Sequence, residues 1–219
     1  MSIATSKVAA EWPDALGLAD ARVELTWSEL DDTLNRLGNA VLSLDLDGAR
    51  LAVFAENSAE TVLAHLACVA VGVSTIPVSF HLTATELAYI LEDSGAAGVF
   101  VGPETVEAGR GAAQKAGVDM VVGWRCAPTA GVISWESWLA DAPAVEPQSG
   151  MPPRPFLHYT SGTTGLPKGT DTPPAMFAGG DTVREHLERV RASAINFGGP
   201  ALAVGPVYHT GQLTMVRGD

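Results

Sequence analysis

Two cysteines, Cys68 and Cys126, are all that the 219 residues contain, and they form no CxxC pair. A reducing cytoplasm is therefore the expected compartment. No apolar run reaches ~18 residues, so no membrane-spanning helix is expected. The opening Met1-Ser2-Ile3-Ala4-Thr5-Ser6-Lys7 lacks the apolar core of a signal peptide. Basic residues are scarce, 13 Lys and Arg against 25 Asp and Glu, for a net charge of −12. That balance excludes a general nucleic-acid or anionic-membrane surface. Internal repeats and low-complexity tracts are also absent. What remains is 47% hydrophobic and 17% charged, the composition of a globular chain long enough for one large domain or parts of two.

Strand and helix signals alternate along the first 140 residues. Thr26-Trp27-Ser28-Glu29 is a capping box, and Trp27, Leu30, Leu34, Leu37, Val41 and Leu44 then recur at helical spacing. Residues 51–55 read as a buried strand. Asn57-Ser58 is expected to cap an almost wholly apolar helix that ends at Gly72, with His65 inside it as a packed core histidine. Strands are expected at 73–78, 97–101 and 118–122, and helices at 83–94, opened by the second capping box Thr83-Ala84-Thr85-Glu86, and at 104–116. Residues 134–139 suggest a short helix. This order predicts an α/β fold with mostly parallel sheets flanked by helices. We divide the chain into an α/β subdomain, 1–140, a Pro-rich connector, 141–155, and the start of a second α/β subdomain, 156–219. In the last part, 181–193 is expected to be an exposed helix with Asp181 as its N-cap, and 200–204 a strand.

The chemistry concentrates in residues 159–169, Tyr-Thr-Ser-Gly-Thr-Thr-Gly-Leu-Pro-Lys-Gly. The apolar stretch Phe156-Leu157-His158-Tyr159 leads into them as a strand. Gly162, Gly165 and Gly169 let backbone approach a ligand closely, and Ser161, Thr163 and Thr164 offer hydroxyl donors. Successive N–H groups in such a loop form an anion-binding concavity, to which Lys168 adds a point charge. The pattern suits a phosphate. It is not G-x-x-x-x-G-K-[ST], because Lys168 follows Pro167 and precedes Gly169. The alternative is a flexible Gly/Thr surface turn.

This run resembles the phosphate-loop signature of the adenylate-forming superfamily, which includes acyl-CoA synthetases, luciferases and peptide-synthetase adenylation domains. Three further stretches resemble its motifs in the same order: Leu25 to Leu30, Val71 to Ala96 in its acyl-CoA-synthetase form, and Gly205-Pro206-Val207-Tyr208-His209-Thr210-Gly211. The resemblance implies an acid–thiol ligase, an AMP-forming acyl-CoA synthetase. It would activate a fatty or similar apolar carboxylic acid with ATP and Mg²⁺, then pass the acyl group to CoA. A carrier protein is the alternative acceptor, and a non-catalytic fragment binding nucleotide or a partner is the rival from another class.

The resemblance further implies that Thr160, Ser161, Gly162, Thr163, Thr164, Gly165 and Lys168 hold the nucleotide. Thr164 would lie on the metal side, and Lys168 and His209 would serve catalysis. The alternative for His209 is a turn residue that caps the next helix. With a net charge of −12, ATP must be captured by local donors and a metal ion. The superfamily's Tyr-Gly-x-Thr-Glu and Thr-Gly-Asp motifs and its C-terminal lysine do not occur in these 219 residues, and Arg217-Gly218-Asp219 is not the ribose motif. The expectation is thus an N-terminal portion, truncated and inactive alone, prone to self-association through the surface it exposes.

Overall fold

The computed structural model describes residues 4–160, 166–172, 179–192 and 201–218. A helix, α1 (Ala4–Glu11), precedes a two-stranded antiparallel hairpin, β1 (Leu16–Ala19) and β2 (Glu24–Thr26). None of these three elements was legible in the sequence. Thr26 then caps α2 (Trp27–Leu42), and both halves of the expected capping box form. The helix stops before Leu44, which packs against the core from the following turn.

The central layer is a five-stranded, all-parallel sheet in the order β4-β3-β5-β6-β7. Its strands are β3 (Arg50–Phe54), β4 (Thr75–Val78), β5 (Ala96–Val101), β6 (Met120–Gly123) and β7 (Ile133–Ser134). Between them run α3 (Ala59–Ala70), α4 (Ala84–Ser94) and α5 (Val106–Ala116), and α6 (Trp135–Ala140) follows. The pleat divides the core in two. Leu51, Val53, Phe100 and Val122 pack towards α2, α3 and α6, whereas Ala52, Phe54, Val99, Val101 and Val121 pack towards α4 and α5. Burial on both faces explains why β3 to β6 read as continuous apolar runs rather than as alternating patterns; β7, exposed at the edge, was not expected from the sequence. Helix α4 ends as the sequence predicts, with Gly95 at φ 63°, a conformation glycine adopts without a Cβ penalty.

The order reverses at β3, which is where open α/β sheets usually bind ligands, beyond the carboxyl ends of the strands. Here the segments that follow β3 and β5 bond to one another. The Glu56 N–H donates to the Glu104 carboxylate at 2.6 Å, and the Thr105 hydroxyl donates to the Phe54 carbonyl at 2.5 Å.

The connector 141–155 carries no regular element and is strapped down at intervals. Arg36 and Asn39 of α2 donate to the carbonyls of Ala142, Pro143 and Val145, and the Ser74 hydroxyl donates to that of Pro155. It leads to β8 (Leu157–Thr160), which lies beside β4 and pairs antiparallel with β9 (Lys168–Asp171). Two helices close the described chain, α7 (Val183–Arg191) and α8 (Thr210–Gly218).

Several expectations need correction. Ser58 alone caps α3, through a bond from the Thr61 N–H, because the Asn57 side chain is engaged elsewhere. Thr182, not Asp181, caps α7, accepting from the Glu185 N–H. That helix is not wholly exposed, since Val183, His186 and Val190 are buried on one face. Residues 201–204 form no strand. No described strand lies beside them to pair with, and Leu202 and Val204 stand about 80% exposed.

His65 is the core histidine expected. It is fully buried, its Nδ1 lies 2.7 Å from the Thr75 hydroxyl, and Phe156 meets it edge-on. Burial, with a smaller contribution from His158, lowers its pKa from 6.5 to about 3. The folded state therefore refuses a proton that the unfolded chain accepts. Stability falls as pH drops from about 6.5 towards 3, by up to ~1.4 kcal/mol per pH unit. In urea denaturation at pH 7, 6 and 5, His65→Gln is expected to flatten this slope. A variant with the parent's slope would show that another group governs the acid limb.

Candidate functional site

The phosphate-loop sequence is carried on the β8–β9 hairpin, and the structure explains how its arms are held. Thr160 and Lys168 are directly opposed, the last pair of the ladder, with both side chains exposed. Tyr159 opposes Gly169, and its ring lies over the glycine: a Cβ there would come within 3.2 Å of the ring. A side chain at 169 would thus press the tyrosine away. The chain beyond Lys168-Gly169 continues as a strand rather than starting a helix, and the Arg50–Asp171 ion pair, 3.3 Å, fixes its far end. Ser161, Gly162, Thr163, Thr164 and Gly165, all singled out from sequence, lie outside the described residues.

Alternation along β8 sends its side chains to two environments. Leu157 and Tyr159 join the α4 side of the core, while Phe156 packs with Val62, Val69, Val207 and Leu213. His158 shares the Phe156 side, their rings 6.2 Å apart. Its Nε2 is buried and has no hydrogen-bond partner among the described residues. Burial lowers its pKa, and the neighbouring charge of His209 lowers it further. His209 is therefore within electrostatic reach of a residue two positions from Thr160.

His209 itself is exposed and begins α8: its carbonyl accepts from the Leu213 N–H at 3.0 Å. The helix-initiating alternative weighed for it is thus part of its geometry. The preceding turn is held by Asn57, whose amide donates to the Gly205 carbonyl and accepts from the Val207 N–H, both at 2.8 Å. Tyr208 lies against His209 with the rings tilted and their centres 4.6 Å apart, and it meets Phe80 edge-on at 5.8 Å; Phe80 in turn packs on His81. Residues just past β4 thus form one aromatic wall with the 205–209 turn.

Sequence reasoning missed Asn57, Phe80, Tyr89, Asp93 and His158 as neighbours of this region. Local patterns did not mark Asn57, Phe80, Tyr89 and Asp93, because their contacts span from 66 to 150 residues, and His158 read only as part of the strand entering the loop. Among the described residues no group of three His, Cys, Asp or Glu could hold a metal ion. A resident Mg²⁺ site is not supplied by them, and Thr164, expected on the metal side, is not described. An open cleft of about 640 Å³, lined in part by Gly123, Cys126, Thr129, Ser134 and Ser137, lies beyond β6 and β7. It is at the opposite edge of the sheet from the hairpin, and no charged side chain lines it. No described helix is long and apolar enough to cross a membrane.

Comparison with known proteins bears on the same region. The chain is 33% identical over 222 aligned positions to a sulfoacetate–CoA ligase of Cupriavidus necator, covering 94% of this chain and 43% of that protein. It is 32% identical to the long-chain-fatty-acid–CoA ligase FadD13 of Mycobacterium tuberculosis, over 67% of this chain and 29% of that one. The chain thus spans less than half the length of either relative. The crystal structure of the N-terminal domain of FACL13 from Mycobacterium tuberculosis superimposes with a TM-score of 0.72 at 24% identity, covering 97% of this chain and 52% of that one, a likeness of fold. A family model described as AMP-binding enzyme matches residues 5–213, from the first helix through the hairpin and past the Tyr208–His209 turn. The chain belongs to the AMP-binding enzyme family.

Proposed function

We propose that this chain is the nucleotide- and acid-binding part of an AMP-forming acyl-CoA ligase acting on an apolar carboxylic acid. The observation that carries the proposal is the hairpin. Thr160 and Lys168 face each other at the mouth of the Ser/Thr/Gly loop, and the strand beneath them reaches His158 and, through it, His209. In the reaction, a carboxylate oxygen attacks the α-phosphorus of ATP, and pyrophosphate leaves with the electron pair of the broken P–O bond. The CoA thiolate then attacks the acyl carbonyl, and AMP departs.

Ser161, Thr163 and Thr164 hydroxyls, with backbone admitted by Gly162 and Gly165, hold the β- and γ-phosphates alongside Thr160. Lys168 meets the charge that grows on the departing pyrophosphate. Mg²⁺, arriving with ATP, would neutralise part of that charge. His209, exposed at the start of α8 beside Tyr208, borders the carboxylate. The Phe80–Tyr208 wall favours an apolar acyl group over a sulfonated one.

The test is acid-dependent ATP–pyrophosphate exchange by the longest native chain carrying these residues. A panel should run from sulfoacetate through aromatic acids to long-chain fatty acids, followed by thioester formation with CoA or with a carrier protein. Exchange is expected with apolar acids and CoA as acceptor. His209→Ala is expected to raise KM for the acid by about tenfold and KM for ATP much less. Transfer only to a carrier protein would correct the acceptor. Absence of exchange with every acid would leave a binding fragment, and a change confined to KM for ATP would move His209 off the acyl side.

A further inference from the structure

Helix α4 buries Leu87, Ala88, Ile90 and Leu91. Its opposite flank carries Tyr89 and Asp93, one turn apart and therefore on one face. Both reach the hairpin, and each reaches a different arm. The Tyr89 hydroxyl donates to the Pro167 carbonyl at 3.1 Å, and the Tyr159 hydroxyl donates to the Asp93 carboxylate at 2.6 Å. Pro167 has no N–H, so its carbonyl is the one backbone group by which the residue before Lys168 can be hydrogen-bonded. Tyr159 is the residue before Thr160. The two bonds thus fix the chain immediately behind both members of the Thr160–Lys168 pair. Tyr159 can reach Asp93 because its ring crosses Gly169. Burial and the Asp93 carboxylate both push the Tyr159 hydroxyl's pKa above its ordinary value, which already keeps the proton on a phenol at neutral pH.

We propose that Tyr89 and Asp93 are positioning residues for the nucleotide: by gripping the two arms from α4, they set where Thr160 and Lys168 meet the phosphates of ATP. The assignment rests on the phosphate-holding role given to the hairpin above. Neither residue touches the reacting atoms. Arg50 and Asp171 restrain only the far end of β9, so the grip at the mouth falls to α4.

The test uses the longest native chain carrying these residues, as Tyr89→Phe, Asp93→Ala, the double variant, and Asp93→Asn, whose amide oxygen can still accept from Tyr159. The double variant is expected to raise KM for ATP about tenfold, the order set by two lost hydrogen bonds, with KM for the acid changed less than about twofold. Without nucleotide, amide hydrogen exchange in 157–160 and 168–171 should quicken by a similar factor, while β3 and β5 keep the parent's protection. Asp93→Asn should restore both readouts most of the way. Unchanged exchange in the hairpin overturns the proposal, and so does quicker exchange with KM for ATP unmoved. Equal rises in both KM values together with weakened protection in β3 and β5 also overturn it, as a merely structural effect. If the parent shows no acid-dependent pyrophosphate exchange, the function proposed above falls. The grip on the hairpin is then decided by amide exchange alone.

Discussion

Lys168→Ala is expected to slow acid-dependent ATP–pyrophosphate exchange by about 100-fold or more, the loss typical of removing one preorganised donor to developing charge. Stability should barely move. The Lys168 side chain is exposed at the end of β9, and the strand is held through its backbone pairing with Thr160, which alanine preserves. Substitutions at such positions usually lie within about 0.5 kcal/mol. Lys168→Arg is expected to recover part of the rate, because it keeps the charge but changes a compact ammonium into a planar fork. Stopped-flow or isotope-exchange rates for the three forms at saturating ATP decide the matter. Equal rates for parent and alanine variant would remove Lys168 from the mechanism.

Asp20→Ala carries the largest expected loss of stability, about 2 kcal/mol, the scale of removing a part-buried carboxylate that accepts charge-assisted hydrogen bonds. Asp20 lies in the turn between β1 and β2. One carboxylate oxygen accepts from the Arg22 and Val23 N–H groups, the other from the Ala59 N–H at 2.8 Å and from Arg125 at 2.9 Å. Arg125 also donates twice to Glu60 at the start of α3, and it adopts φ 53°, uncommon for a residue with a side chain. Burial pushes the Asp20 carboxyl's pKa up, but the three N–H groups and Arg125 outweigh it and hold the group well below the usual carboxylate range.

The sign follows. A depressed folded-state pKa gives stability that is present above the unfolded value and is lost as pH falls through the acid range. Alanine leaves Arg125 and the Ala59 N–H with a partner missing. Asp20→Asn keeps an acceptor oxygen and should cost about half as much. Chemical denaturation at pH 7 reads both. A loss under about 1 kcal/mol for the alanine variant would mean that Glu60 alone suffices for Arg125 and that the hairpin is held by other contacts.

The parts legible in the sequence are those governed by neighbours in sequence. The capping boxes at Thr26–Glu29 and Thr83–Glu86 both form, and Gly95 ends α4, because such signals act within a single helical turn. Strands β3 to β6 of the parallel sheet announced themselves as short apolar runs, since both faces there are covered, whereas β7, two exposed residues at the edge, did not. The β1–β2 hairpin did not, because its turn is fastened by Arg125, 105 residues away from Asp20. Residues 201–204 have strand-like composition but no pairing partner among the described residues, and a strand exists only as part of a ladder. In the candidate site, the Gly, hydroxyl and Lys spacing marked the loop and the family. The residues that hold the loop's arms, Tyr89 and Asp93, read only as members of a helix. Asn57 read as a helix cap, and its actual bond to the 205–207 turn crosses 150 residues.

The most direct test of the central claim follows an oxygen atom. The longest native chain carrying residues 1–219 is given ATP, CoA and an apolar acid labelled with ¹⁸O in its carboxylate, and the nucleotide product is weighed by mass spectrometry. Attack of the carboxylate on the α-phosphorus leaves one labelled oxygen in AMP, with unlabelled pyrophosphate, and Lys168→Ala slows that transfer without redirecting it. Unlabelled AMP, or ADP formed with labelled inorganic phosphate, would contradict adenylation and remove the function assigned to the hairpin.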